Sequence, residues 1–213
     1  MKQMIETECD ALERYSSYEQ VKKAERINKD YRIRIKEGET DKIVVAIHGG
    51  NIEPGTSEIA EAIAGGKHSF YAFEGIKPHG NRILHIKSTK FDEPYGVRMV
   101  GSSRSVLSIH GCGDETCIVF IGGRDRGLKK TMLRKLTKAG FAASEKANGY
   151  LTGMAAENIC NRGINSEGVQ LELSAGLRKK MMRSLKAQDR TVRTGLFYYF
   201  LRTICGVFDG YPS

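Results

Sequence analysis

The chain has 213 residues, with 34 Lys plus Arg against 25 Asp plus Glu, a formal balance of +9. A chain of this length buries roughly 70% of the surface it exposes when unfolded, and 40% hydrophobic with 28% charged residues are globular values, so global disorder is excluded. No stretch approaches the ~20 apolar residues of a membrane span, the first residues lack the apolar core of a signal peptide, and five cysteines without a Cys-x-x-Cys pair argue against a disulfide framework, which points to a cytoplasmic protein with no membrane partner.

Residues 1–30 are densely charged, with Met4, Leu12, Tyr15 and Val21 at helical intervals, and read as a peripheral N-terminal arm ahead of a single domain over 31–213. Tyr31–Ile35 predicts a strand. Ile43–Ile47 is an unbroken, largely β-branched run of the kind that serves a strand buried on both faces. Thr56 or Ser57 is placed to cap a helix through Ile59, Ala60, Ile63 and Ala64 that Gly65-Gly66 would end. Phe70–Phe73 and Ile83–Ile86 are the next strand candidates, and Val106–His110 with Ile118–Ile121 fit either a hairpin or a wider connection.

A basic helix follows, with Leu128, Met132, Leu133 and Leu136 three and four apart and Gly140 beyond its end. In Val169–Leu173 the apolar residues Val169, Leu171 and Leu173 alternate with Gln170 and Glu172. A helix-rich basic tail, Leu177–Ile204, closes the pattern. Strands alternating with helices predict an α/β fold, a single-domain sandwich with a central mixed, mostly parallel sheet flanked by helices.

Several motifs are absent on reading the letters. Glu61 stands where a P-loop ending at Gly66-Lys67 needs its first glycine, Thr116 stands where a dinucleotide fingerprint needs its third, and no Gly-x-Ser-x-Gly occurs. What remains is polar residues at the ends of apolar strands, where open α/β sheets place ligands. His48 ends the first buried run, a glycine pair follows, and Glu53 comes five positions later; His110 ends another run. Two imidazoles and a carboxylate are a ligand set of catalytic zinc, with a fourth position left for water. A strand-end histidine bonded to a neighbouring carbonyl fits the same letters, and spacing alone does not decide.

Six blocks in order carry a resemblance: His48-Gly49-Gly50-Asn51-Ile52-Glu53-Pro54-Gly55-Thr56-Ser57-Glu58, Phe91-Asp92-Glu93-Pro94, Ser108-Ile109-His110-Gly111, Gly122-Gly123-Arg124-Asp125, Asn158-Ile159-Cys160-Asn161-Arg162 and Gly168-Val169-Gln170-Leu171-Glu172-Leu173-Ser174. Together they resemble the phage-type poly-γ-glutamate hydrolases of Bacillus phages and prophages, over about residues 30–205. The resemblance implies a zinc-dependent amide hydrolase with a metallocarboxypeptidase-like core. The implied ligands of Zn2+ are His48, Glu53 and His110, and the implied general base is Glu172. The His-x4-Glu spacing is wider than that of the metallocarboxypeptidases themselves.

The implied substrate, poly-γ-glutamate, is an anionic polymer, and the basic stretches 124–138 and 178–202 would draw it in through a field that salt screens. Guanidinium groups suit fixed carboxylate recognition better than ammonium groups. Arg162 beside Asn161 is therefore the first candidate contact, followed by Arg124 and Arg178. His85 and Asp92 are candidates for a place behind the ligands, Asp92 orienting an imidazole; His68 and His79 read as surface residues. Alternatives are a zinc amidohydrolase of a small N-acylglutamate or a cell-wall γ-glutamyl amide and, in another class, a basic nucleic-acid-binding protein, against which stand the lack of Trp and of a helix-turn-helix signature. Host lysis is one route by which such a protein would reach the exterior.

Overall fold

A run of apolar residues with no polar face belongs in a strand covered on both sides. In the computed structural model, which describes residues 14–145 and 152–212, Ile43–Ile47 lies within β2 (Lys42–Gly50), and every residue of that strand is buried. It is joined by β1 (Tyr31–Lys36), β3 (Ser69–Gly75), β4 (Ser105–Cys112), β5 (Ile118–Gly123), β6 (Ala142–Glu145) and β7 (Val169–Ser174) in one sheet of order β1-β3-β2-β4-β7-β5-β6. The strands β3, β2, β4 and β7 run parallel, as do β5 and β6. Among the described strands of the sheet, the β1–β3 and β5–β7 pairings are antiparallel.

The strands β4 and β5 follow one another in sequence yet do not pair. β7 is inserted between them, in register with both. All of its residues are buried, and a buried strand must find backbone partners along both edges.

Helices cover both faces. α1 (Tyr18–Ala24) and α3 (Pro94–Gly101), with the segment 81–92, lie over Ile43, Val45, Ile47 and Val106. α2 (Thr56–Ala64), α4 (Arg126–Lys138), α5 (Ala175–Met181) and α6 (Gly195–Phe208) lie over Val44, Ala46, Leu107, Ile109 and Leu171. Alternation along β7 thus sends Leu171 to the second face and Glu172 to the first. Among the described residues, no helix is long and apolar enough to cross a membrane.

Three expectations change. Ile83–Ile86 is not a strand: Asn81–Leu84 is a single 3-10 turn, and Leu84 and Ile86 are spent covering the sheet. Neither Thr56 nor Ser57 caps α2: Gly55 stands at the cap, both lie inside the helix, and the Ser57 hydroxyl accepts from the Gly50 N–H at 2.8 Å. His68 is buried, bridging Thr40 Oγ1 at 2.6 Å and Asp209 Oδ1 at 2.9 Å. Residues 1–13 of the expected arm lie outside the described residues; of the rest, Tyr15 and Val21 are buried against the first face.

The basic helix α4 owes its start to Asp125, whose Oδ1 accepts from the Leu128 N–H at 2.8 Å and from the Tyr211 hydroxyl at 2.9 Å. Asp125→Ala is expected to lower the unfolding free energy by about 1–2 kcal/mol. The change should appear as a lower urea midpoint at unchanged slope, and an unshifted midpoint would deny the cap that role.

Candidate metal centre

Strict alternation along β2 would aim His48 away from the face that holds Ile43, Val45 and Ile47. A bulge prevents this. Ala46 lies opposite Ala72 and Gly49 opposite Glu74, so β2 takes three steps where β3 takes two, and such an extra residue re-aims the side chains beside it. His48 then faces His110, whose ring comes from the same face of β4: Nδ1 to Nδ1 is 3.1 Å.

The turn after His48 brings in the carboxylate. Gly50 has φ +64°, and a Cβ there would lie 2.4 Å from the Gly75 carbonyl oxygen, so only glycine fits. The chain folds back until the Glu53 N–H donates to the His48 carbonyl at 2.9 Å. Glu53 Oε1 then lies 3.0 Å from His48 Nδ1, and Oε2 lies 3.6 Å from His110 Nδ1 while accepting from the Gly111 N–H at 2.8 Å. Ligand atoms of all three side chains fall within 4.8 Å of one another.

The chemistry of this donor set fits a metal ion. His48 Nε2 donates to the Ile86 carbonyl at 2.8 Å, so in the neutral ring Nδ1 carries a bare lone pair directed at the cluster. His110 Nε2 lies 2.9 Å from Ser108 Oγ, leaving its Nδ1 on the cluster side as well. Two lone pairs and a carboxylate converging in a buried spot require a proton or a cation between them. The outer ring nitrogens are held as those of metal-bound imidazoles are. Burial alone would raise the Glu53 carboxyl, but His48 and His110 hold it well below the usual carboxylate range. Burial likewise pulls His110 down, and Glu53 with Glu172 outweighs it, so this imidazole is raised.

Two more groups complete the site. Glu172 is paired with His110 across the parallel β4–β7 register and is buried; its Oε1 accepts from Gln170 Nε2 at 3.1 Å. His85 stacks on His48 at 3.8 Å between centroids, its Nε2 3.7 Å from Glu53 Oε1. Burial and the neighbouring His48 push His85 down to about 3, so it stands beside the cluster as a neutral ring.

Of the candidate arginines, Arg178 and Arg162 are engaged with main-chain carbonyls and Arg124 is exposed. Arg178 is buried and donates to the carbonyls of Leu173, Pro54 and Cys112 at 3.0, 2.6 and 2.9 Å, pinning the ends of β7 and β4 to the turn after Glu53. It packs so closely on Gly111 that a Cβ there would meet its Cζ at 2.6 Å. Arg162 spends its donors on the carbonyls of Glu157, Phe91, Thr89 and Ser88. Asn161 holds the carbonyls of Gly153 and Ala155 through Nδ2 and the Arg124 N–H through Oδ1. Arg124 is exposed, but β5 runs antiparallel to β7, with Gly123 opposite Val169, so it lies at the end of β7 remote from the cluster. Asp92 orients no ligand imidazole: its Oδ1 accepts from the Tyr18 N–H at 2.5 Å. The basic helix α4 packs on the face of the sheet opposite Glu172.

Sequence reasoning passed over Ser108, Asn158 and Arg190. Ser108 had a signal, since it stands two residues before His110 on the same side of one strand. Arg190 had none: it reaches from a distant loop to Glu58 Oε1 at 2.6 Å and Asn51 Oδ1 at 3.0 Å, bracing the turn that carries Glu53.

Comparisons with known proteins fall on the same ground. The family described as poly-gamma-glutamate hydrolase matches residues 15–203. UPF0714 protein YndL of Bacillus subtilis (strain 168) is 37% identical over 186 residues, covering 87% of this chain and 73% of that protein. SPbeta prophage-derived UPF0714 protein YoqZ of the same strain is 32% identical over 196 residues, covering 91% and 71%. Among solved structures, a bacteriophage poly-gamma-glutamate hydrolase superposes with a TM-score of 0.88 at 32% identity, covering 93% of this chain and 98% of that one. A zinc-free apo form of YndL gives a TM-score of 0.88 at 35% identity with the same coverage.

Arg178→Lys keeps the charge and loses the fork that spans three carbonyls. It is expected to lower stability by roughly 2 kcal/mol or more in chemical denaturation, because buried carbonyls lose charged donors. A variant within about 0.5 kcal/mol of the parent would show that the clamp holds nothing.

Proposed function

This chain belongs to the poly-gamma-glutamate hydrolase family, and from that premise we propose that it hydrolyses the γ-glutamyl amide bonds of poly-γ-glutamate, with zinc held by His48, Glu53 and His110 and with Glu172 as general base. The observation that carries the reading is the convergence of those three side chains, with Glu172 next to His110 across one strand pairing. That a solved structure of the relative YndL is described as zinc-free supports zinc as the ion.

Zinc bound there would supply a Lewis acid for the amide carbonyl and a water acidified to a pKa of about 7. The chain's own residues do the rest. Ile86 and Ser108 fix the rings of His48 and His110 by their outer nitrogens, so the inner nitrogens stay directed at one point. Glu172 takes the proton of the attacking water on its carboxylate and returns it to the leaving amine, the ordinary work of a general base that becomes the acid. Burial of Glu172, at 5% exposure, limits competition from bulk water for that proton. The neutral His85 stands beside Glu53 as a polar wall for the substrate.

The substrate carries a free carboxylate on every residue. Arg162 and Arg178 are occupied with main-chain carbonyls, which makes them builders of the site in this reading. Attraction of the polymer rests on the overall +9 balance and should weaken with ionic strength.

Incubating the protein with high-molecular-weight poly-γ-glutamate and following its length by gel tests the reading. Steady shortening is expected, together with a loss of roughly 10²–10⁴ in rate for Glu172→Gln at unchanged metal content. Near-normal turnover by Glu172→Gln would remove it from the role of base. Intact polymer alongside cleavage of a small N-acylglutamate would move the substrate to the smaller class.

A further inference from the structure

The two amide side chains behind Glu172 have no part in holding a metal, yet their orientation is dictated. The Cys160 N–H can only donate, and Asn158, which caps the 3-10 turn Ile159–Asn161, accepts it on Oδ1 at 3.1 Å. Asn158 must therefore present its NH2 to the other side, where it donates to Gln170 Oε1 at 2.9 Å. Gln170 in turn presents Nε2 to Glu172 Oε1 at 3.1 Å. All three side chains are buried, at 5%, 3% and 5% exposure, so water does not readily substitute for a missing partner. An amide viewed alone can be turned either way. This pair cannot, because a main-chain N–H fixes the first link and each link fixes the next.

We propose that Asn158 and Gln170 are positioning residues for the hydrolytic step: a polarised amide relay, oriented from the Cys160 N–H, that keeps an N–H rather than a carbonyl against Glu172 and so holds the carboxylate toward His110. This deepens the assignment of Glu172 as the base and rests on it. A carbonyl in the same place would repel the carboxylate and turn it from the reacting centre.

The direction of the relay can be reversed without removing the cap. Asn158→Asp keeps an oxygen for the Cys160 N–H and sets its other oxygen against Gln170, whose amide then rotates and presents Oε1 to Glu172. Expected are a fall in kcat of roughly 10- to 100-fold, the size of effect that a small misplacement of a catalytic group produces, with KM for the polymer and zinc content near those of the parent and a melting temperature lowered by the second buried carboxylate. In a Glu172→Gln background, Asn158→Asp should lower kcat no further, which damage to the fold at large would not reproduce. If Asn158→Asp fails to fold, Gln170→Met, which fills the space without donating, is read in its place with the same expectation. Parental kcat in whichever variant folds, or a change confined to KM, overturns the relay while an inactive Glu172→Gln leaves the base in place. An active Glu172→Gln overturns both.

Discussion

Two imidazole nitrogens 3.1 Å apart, with a carboxylate oxygen 3.0 Å from one of them, cannot all keep their lone pairs in a buried site unless something positive sits among them. Much of the architecture around this point follows from that constraint. The bulge in β2 turns His48 inward, Gly50 lets the chain return with Glu53, and Ile86 and Ser108 engage the outer nitrogens. Each device acts on direction, and a ligand set is a matter of direction.

Holding such a cluster requires loops that do not yield. Arginines meet this need, Arg178 and Arg162 through main-chain carbonyls and Arg190 through side-chain oxygens. Arg178 ties the ends of β4 and β7 to the turn after Glu53, Arg162 gathers the segment 88–91, and Arg190 braces Asn51. The guanidinium fork reaches several carbonyls at once, which an ammonium cannot do in one plane. Beneath them, the sheet carries an apolar layer on each face, so the strands that deliver His48, His110 and Glu172 are fixed on both sides.

The reading of the letters succeeded where an element is decided locally. The run Ile43–Ile47 could only be a covered strand, the spacing of Leu128, Met132 and Leu136 could only be one face of a helix, and Glu172 could only oppose Leu171. The three converging residues were candidates from their place at strand ends and after a glycine turn, but spacing left them undecided and it was the resemblance that singled them out as a set. What escaped depended on partners far away in sequence. That β7 enters between β4 and β5 is a tertiary fact. Because β5 is antiparallel to β7, Arg124 stands at the wrong end to join the cluster. The apolar run Ile83–Ile86 looks like a strand, but Leu84 and Ile86 are spent covering one face of the sheet. Asp92 was misread for the same reason, since its partner Tyr18 is 74 residues earlier. Charge alone likewise could not distinguish an arginine that awaits a ligand from one that binds the main chain.

Zinc titration of metal-stripped protein, followed by calorimetry and elemental analysis, reaches the centre of the account most directly. One ion bound per chain by the parent, with that binding lost in His110→Ala, is the expected result. Failure of the parent to take up zinc, or uptake unchanged by His110→Ala, would contradict the convergence of His48, Glu53 and His110 as a metal centre.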